Sequence, residues 1–308
     1  MNVYPVIPRG YCKGVINAIK IVKDCAEKYK NQPVYILGMI VHNQYIVNAL
    51  KDLNIITIEE KNKTRLELLD SINQGIVIMS AHGVSKDVFL KAQKKGLIII
   101  DATCVDVIKT HKLIENAILK GKEVLYIGKK GHPESEGTLA IDKNKIHLIE
   151  KKEDILQFKE TNISYIMTNQ TTMSLWDIYQ LNEYAKEQIK DIEFTQEICN
   201  ATKIRQEAIV NLPKEIDLVL IVGDPHSNNS TRLKMIAEEK AFKEAYLIES
   251  INDLSLEKLK NKQYIAVSSG ASTPTYLTNQ VIEYLKQLDF KNEKTLIKPL
   301  INYSKILD

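Results

Sequence analysis

The sequence predicts an α/β protein built from mostly parallel sheets, and three observations carry that reading. Short apolar, β-rich runs alternate with amphipathic helical runs almost from end to end of the 308 residues, as strand–helix–strand units do. Several strand runs are apolar without alternation, which suits strands covered on both faces. Three of the cysteines recur at near-equal spacing, Cys104 lying 92 residues after Cys12 and Cys199 lying 95 after Cys104. Each stands where irregular chain meets a helical pattern, in RGYCKGVINAIK, DATCVDVIKTHK and EICNATKIRQEA. That regularity predicts three pseudo-equivalent α/β units, 13–103, 104–197 and 198–290, each offering one thiol at a helix start. Residues 1–12 contribute the first thiol, and 291–308 form a tail.

Taken in order, the expected strands are NVYPVI, PVYILG, NIITI, GIVIMSA and LIIIDA, then EVLYIG, KIHLIE and SYIMTN, then DLVLIVG, AYLIES and YIAVSSG. Helical patterns fall between them in GVINAIKIVKDCAEKYK, VDVIKTHKLIENAILKG, SLWDIYQLNEYAKEQIK and LTNQVIEYLKQL. In the first of these, Ile16, Ile19, Val22, Cys25 and Tyr29 fall at helical steps, so Cys25 reads as a small buried hydrophobe on an apolar face. The stretch GHPESEGT after EVLYIG reads as a glycine-flanked turn, stiffened by Pro133, that presents His132 and Glu134.

Composition narrows the function. A formal net charge of +3 and scattered lysines, without an arginine cluster or interleaved aromatics, argue against a nucleic-acid groove. No apolar stretch reaches the roughly 18–20 residues of a membrane span, and the N-terminal apolar part is short and broken by proline, so no signal peptide is expected. The expected location is cytoplasmic, where thiols stay reduced and cysteines point to metal or catalysis more than to disulfides.

Three thiols at helix starts suit metal ligation, because the helix N-terminus favours the thiolate. Zinc commonly takes four ligands, often paired at short spacing, and no CxxC occurs. A cubane cluster on three cysteines would leave one iron open as a Lewis acid beside a redox store. Three unrelated buried cysteines are the other alternative. The loops after the strands add donors: His42 in VHN, His82 in SAHGVS, His132 and Glu134 in GHPE, Thr171 and Thr172 in NQTT, Ser227 and Asn229 in PHSNNS, and Ser272 in GAST. They lie mostly at the C-terminal ends of strands, where parallel sheets bind ligands. Imidazoles, hydroxyls and amides ahead of helices suit a diphosphate. Without a Walker loop or a GxGxxG turn, a nucleotide is not the obvious ligand. His111 falls within a helical pattern and His147 within a strand run, ordinary places for both, while His226 adjoins the SNNS loop and reads either way.

PRGYCKGV, VHN, SAHGVS, DATC, GHPESEGT, NQTT, ICNATKIRQEA, GDPHSNNSTRL and SSGAS occur in this order from residue 8 to residue 272. In that ordered set the chain resembles the hydroxymethylbutenyl diphosphate reductases, the LytB family, which finish the methylerythritol phosphate route to isoprenoids. The resemblance implies a trefoil of three α/β units around one [4Fe-4S] cluster per chain, ligated by Cys12, Cys104 and Cys199. It implies diphosphate contacts from His42, His82, Ser227, Asn229 and Ser272 with His132 near them, while Thr172 and Asn228 join the substrate-binding set. Family members commonly read Ser-Ser-Asn where this chain has Ser227-Asn228-Asn229, so an amide takes the middle place. Glu134 would relay a proton to the departing hydroxyl and Thr171 would orient that oxygen, giving isopentenyl and dimethylallyl diphosphate. A ferredoxin or flavodoxin is the implied electron donor. Two rival readings are another three-cysteine iron–sulfur enzyme (a hydro-lyase or a quinolinate synthase-like enzyme), which would need no external electrons, and a non-enzymatic redox sensor, which would not need the donor loops.

Overall fold

The structure, a computed structural model, describes residues 1–60, 62–159 and 162–308. In chain order the regular elements are β1 (Asn2–Pro5), α1 (Lys13–Lys28), β2 (Val34–Leu37), α2 (Gln44–Lys51), β3 (Ile55–Ile58), α3 (Arg65–Leu68), β4 (Ile76–Met79), α4 (Lys86–Lys94), β5 (Ile98–Asp101) and α5 (Val105–Leu119). There follow β6 (Glu123–Ile127), α6 (Pro133–Leu139), β7 (Ile146–Ile149), β8 (Tyr165–Asn169), α7 (Leu175–Gln188), β9 (Ile192–Phe194) and α8 (Asn200–Val210). The chain ends with β10 (Leu218–Val222), α9 (Asn228–Glu239), β11 (Glu244–Ile248), β12 (Tyr264–Ser269), α10 (Thr275–Gln287) and α11 (Glu293–Leu296).

The strands form three four-stranded sheets, ordered β3-β2-β4-β5, β7-β6-β8-β9 and β11-β10-β12-β1. Every strand pairing among the described residues is parallel. All three sheets share one order, but the third takes its fourth strand from the opposite end of the chain: β1 pairs with β12 from Asn2↔Tyr264 to Pro5↔Val267. The chain divides into two compact units. One comprises Met1–Ile16, Val41–Asp52 and Asn200–Asp308, and the other Asn17–Ile40 and Leu53–Cys199.

Burial explains the unalternated strands. In β6, Leu125 and Ile127 join Met167 and the Ile178, Leu181 and Ala185 face of α7. Val124 and Tyr126 join Ile114 and Ala117 of α5 on the opposite side. Successive side chains point to opposite faces of a strand, so a sheet covered on both sides needs apolar residues throughout. Around β4, Val77 and Met79 pack with Leu69, Ile72, Val88 and Ala92. In the other unit β10 is buried at every position, with Leu233 and Ile236 of α9 and Val281 and Leu285 of α10 also buried.

Three expectations change. The stretch GHPESEGT is not a turn: His132 caps α6, Pro133 takes its first position, and Glu134, Ser135, Gly137 and Thr138 are buried in the helix. Proline at the first helical turn lacks only an N–H that would have no intrahelical partner. The buried stripe of α1 is Val15, Ala18, Ile19, Val22 and Cys25; Ile16 is 55% exposed because it sits one position off that stripe. β9 was not expected, since a three-residue edge strand with half-exposed residues leaves no apolar run to read.

Candidate active site

The second strand in each sheet's order, β2, β6 and β10, runs into glycine, at Gly38, Gly128 and Gly223. Their N–H groups donate to the carbonyls of Ile58, Ile149 and Ile248 at the end of the neighbouring strand, at 2.8, 3.2 and 2.8 Å. A short loop then reaches a capping residue. Asn43 accepts from the Ile46 N–H, His132 Nδ1 from the Glu134 N–H at 3.2 Å, and Ser227 Oγ from the Ser230 N–H at 3.4 Å. These caps satisfy orphan donors at the helix start and fix the direction in which it leaves the sheet.

The third strand of each sheet supplies the other half. Two residues beyond the ends of β4, β8 and β12 stand Ala81, Thr171 and Ala271. Their carbonyls accept the backbone N–H groups of Cys104, Cys199 and Cys12, at 3.0, 3.1 and 3.0 Å. Each cysteine is half-buried and immediately precedes a helix, α5, α8 and α1 respectively. All four cysteines are free thiols, and Cys25 differs from the three in being buried within α1, where burial pushes its thiol up. Each of the three thiols is held by the same kind of backbone bond at a helix start, a setting whose chemistry fits a soft-metal or iron–sulfur ligand.

In the unit that carries Cys104 and Cys199, the structure brings Glu134 and Thr171 together. The Thr171 N–H donates to Glu134 Oε1 at 2.7 Å, and its hydroxyl donates to Oε2 at 3.0 Å. Glu134 is 2% exposed. Burial is the larger effect and pushes its carboxyl up to about 7; the two Thr171 bonds pull it back, and Asp106 adds a small upward push. A carboxyl poised there is half-protonated near neutral pH, as proton transfer requires. Thr171 therefore links the two functions through its backbone: its N–H reaches the carboxyl and its carbonyl holds Cys199.

His132 and His82 stand edge to face with ring centroids 5.6 Å apart, and Ser80 Oγ lies 3.5 Å from His82 Nδ1. Gln170 orders the Thr172 loop: its Oε1 accepts from the Lys129 N–H and the Ser135 hydroxyl, and its Nε2 donates to Thr172 Oγ1 at 2.9 Å. His111 sits behind, 3.3 Å from Thr138 Oγ1, and burial pulls its pKa down. His147 stands apart, 2.7 Å from Glu123 and stacked near Phe158.

In the other unit, Ser227, Asn228 and Asn229 are buried at the start of α9. Asn229 Oδ1 accepts from the Ala271 N–H at 2.9 Å and its Nδ2 donates to Thr202 Oγ1 at 3.2 Å, which leaves one amide hydrogen for a ligand. The Ser272 hydroxyl donates to the His42 carbonyl at 3.1 Å, tying two expected site loops together. His226 is exposed, with its N–H on Asp224. Sequence reasoning missed the carbonyls of Ala81, Thr171 and Ala271, because a backbone acceptor leaves no mark in residue identity. Their position two residues past a strand end was the available signal.

The LytB protein family model matches residues 3–286. A 4-hydroxy-3-methylbut-2-enyl diphosphate reductase of Anoxybacillus flavithermus is 46% identical over 96% of this chain and 93% of its own length. The protein of that name from Bacillus subtilis is 46% identical over 96% and 94%. Among solved structures, the E-1-hydroxy-2-methyl-but-2-enyl-4-diphosphate reductase of Plasmodium falciparum superposes with a TM-score of 0.87. It is 32% identical, over 94% of this chain and 89% of that one. A second reductase structure, 29% identical, gives a TM-score of 0.66 over 94% and 100%.

Proposed function

The chain belongs to the LytB protein family of reductases, and from that premise we propose that it reductively removes the hydroxyl of (E)-4-hydroxy-3-methylbut-2-enyl diphosphate. The products are isopentenyl and dimethylallyl diphosphate, with water as the third. The balance is two electrons and two protons, one proton leaving in water with the hydroxyl and one entering the allylic carbon chain. Cys12, Cys104 and Cys199 would hold a [4Fe-4S] cluster, one per chain, which when bound supplies the electrons and a Lewis-acid iron. A ferredoxin or flavodoxin would recharge it. In the same reading, the repeating units are 13–103, 104–197 and 198–290, a division supported by the common strand order.

The observation that carries this proposal is the buried Glu134–Thr171 pair, with the Thr171 carbonyl also holding the Cys199 N–H. With a proton on Glu134 Oε2 the Thr171 hydrogen bond reverses: Oε2–H donates to Oγ1, and the Thr171 hydroxyl passes its own proton to the departing hydroxyl, which leaves as water. Hydroxide is a poor leaving group, and general acid help of this kind is worth about 10²–10⁴ in rate. His42, His82, Ser227, Asn228, Asn229 and Ser272 would bind the diphosphate, with His132 beside them and Thr172 on the substrate loop. The single free Asn229 amide hydrogen limits that residue to one such bond.

The test is anaerobic: the reconstituted protein is given the substrate and a strong one-electron reductant, and C5 diphosphates are quantified. Both products, absent from a Cys104→Ser control, support the proposal. No product from protein with an intact cluster spectrum would overturn it in favour of a hydro-lyase.

A further inference from the structure

Helix α8 buries an unusual face. Its buried positions are Thr202, Arg205, Gln206 and Ile209, a helical stripe with one apolar side chain. Desolvating a guanidinium is costly, and it persists in a core only where its hydrogen bonds are supplied. Arg205, 3% exposed, donates through Nη2 to the Gly10 carbonyl at 2.7 Å and through Nη1 to the Ala201 carbonyl at 2.9 Å.

Gly10 adopts φ +72°, a conformation that disfavours other residues, and its own N–H donates to Ser269 Oγ at 2.6 Å. Gly10 is therefore held through both its N–H and its carbonyl, two residues before Cys12. Cys12 is tied in turn through its N–H to Ala271, whose N–H is held by Asn229, whose amide donates to Thr202. Thr202 and Arg205 lie three residues apart on one helix face, so both grips on the Cys12 loop come from α8.

We propose that Arg205 is a positioning residue for Cys12: through the Gly10 carbonyl it sets the loop that presents the thiol. This rests on the reading of Cys12 as a cluster ligand, but the arrangement can be tested without the cluster. In the reduced, cluster-free full-length protein, iodoacetamide alkylation is followed by peptide mass spectrometry at Cys12, Cys104 and Cys199, for wild type, Arg205→Lys and Arg205→Met. Loss of the grip should raise the Cys12 rate by roughly ten- to a hundredfold in Arg205→Met, the range one hydrogen bond from a charged donor supplies. Arg205→Lys, which keeps one donor, should recover part of that, with Cys104 and Cys199 unchanged. Iron bound after anaerobic reconstitution should fall in the same order. An unchanged Cys12 rate, or an equal rise at all three thiols, overturns the proposal. If Arg205→Met does not fold, the Lys variant decides alone. Wild type that binds no iron while Cys12 still answers to Arg205 would remove the cluster reading and leave the positioning role standing.

Discussion

At the scale of single residues, Glu134 is a carboxyl held almost wholly out of water. Its carboxyl is pushed from 4.5 to about 7, so between these values the folded chain keeps a proton that the unfolded chain releases. The stabilising effect is complete below about pH 4.5 and is lost as the pH rises through about 7, a change of about 3 kcal/mol. Glu134→Gln removes that titration. Its denaturation midpoint relative to wild type should therefore rise between pH 5 and pH 8, and parallel curves would argue against a raised carboxyl. The same variant should keep the cluster spectrum while turnover falls about 10²–10⁴-fold; near-normal turnover would take Glu134 out of the mechanism. Thr171→Val removes only the hydroxyl donor, leaving both backbone bonds of Thr171. Its turnover should fall while its iron content does not, a split that a ruined Cys199 loop would not produce.

At the scale of elements, a glycine after β2, β6 and β10 lets the chain turn off the sheet toward the following helix. A Cβ on Gly128 would stand 2.7 Å from Ser135 Oγ and 2.8 Å from Tyr126 Cε1, both buried in rigid surroundings. Gly128→Ala should push α6 away from β6 at a cost of about 1–3 kcal/mol, read as a lower urea midpoint, and it should reduce turnover by shifting Glu134. Eleven of the twelve strands among the described residues were legible as short apolar runs, and burial on both faces leaves β4, β8 and β10 buried at every position. The start of α6 was not, because glycine and proline outweigh local helix propensity until tertiary burial of Glu134 and Thr138 reverses the balance.

At the scale of the whole molecule, both chain ends are built into the same unit. β1 completes the third sheet, and the tail is anchored by Tyr11, whose hydroxyl donates to the Ile306 carbonyl at 2.6 Å. Gln280 Nε2 donates to the Leu300 carbonyl, the Asn302 N–H donates to Tyr276, and Ile306 is fully buried. Deleting 298–308 should cost about 2–3 kcal/mol from the burial of Ile306 alone, measured as a lower Tm. It should also free Tyr11, the neighbour of Cys12, to titrate nearer its ordinary value, because burial now pushes its hydroxyl up. Among the described residues no helix is long and apolar enough to cross a membrane.

The sequence by itself determined the α/β class, nearly every strand, the set of three cysteines apart from Cys25, and the ordered motifs of the family. Those features lie in side-chain identity and periodicity, which local chain carries. Only the tertiary structure decided that β1 completes the third sheet, that the Thr171 backbone serves both Glu134 and Cys199, and that α8 turns a polar face inward. These depend on backbone donors and acceptors brought together across tens to hundreds of residues, and a backbone amide has the same chemistry whichever residue carries it.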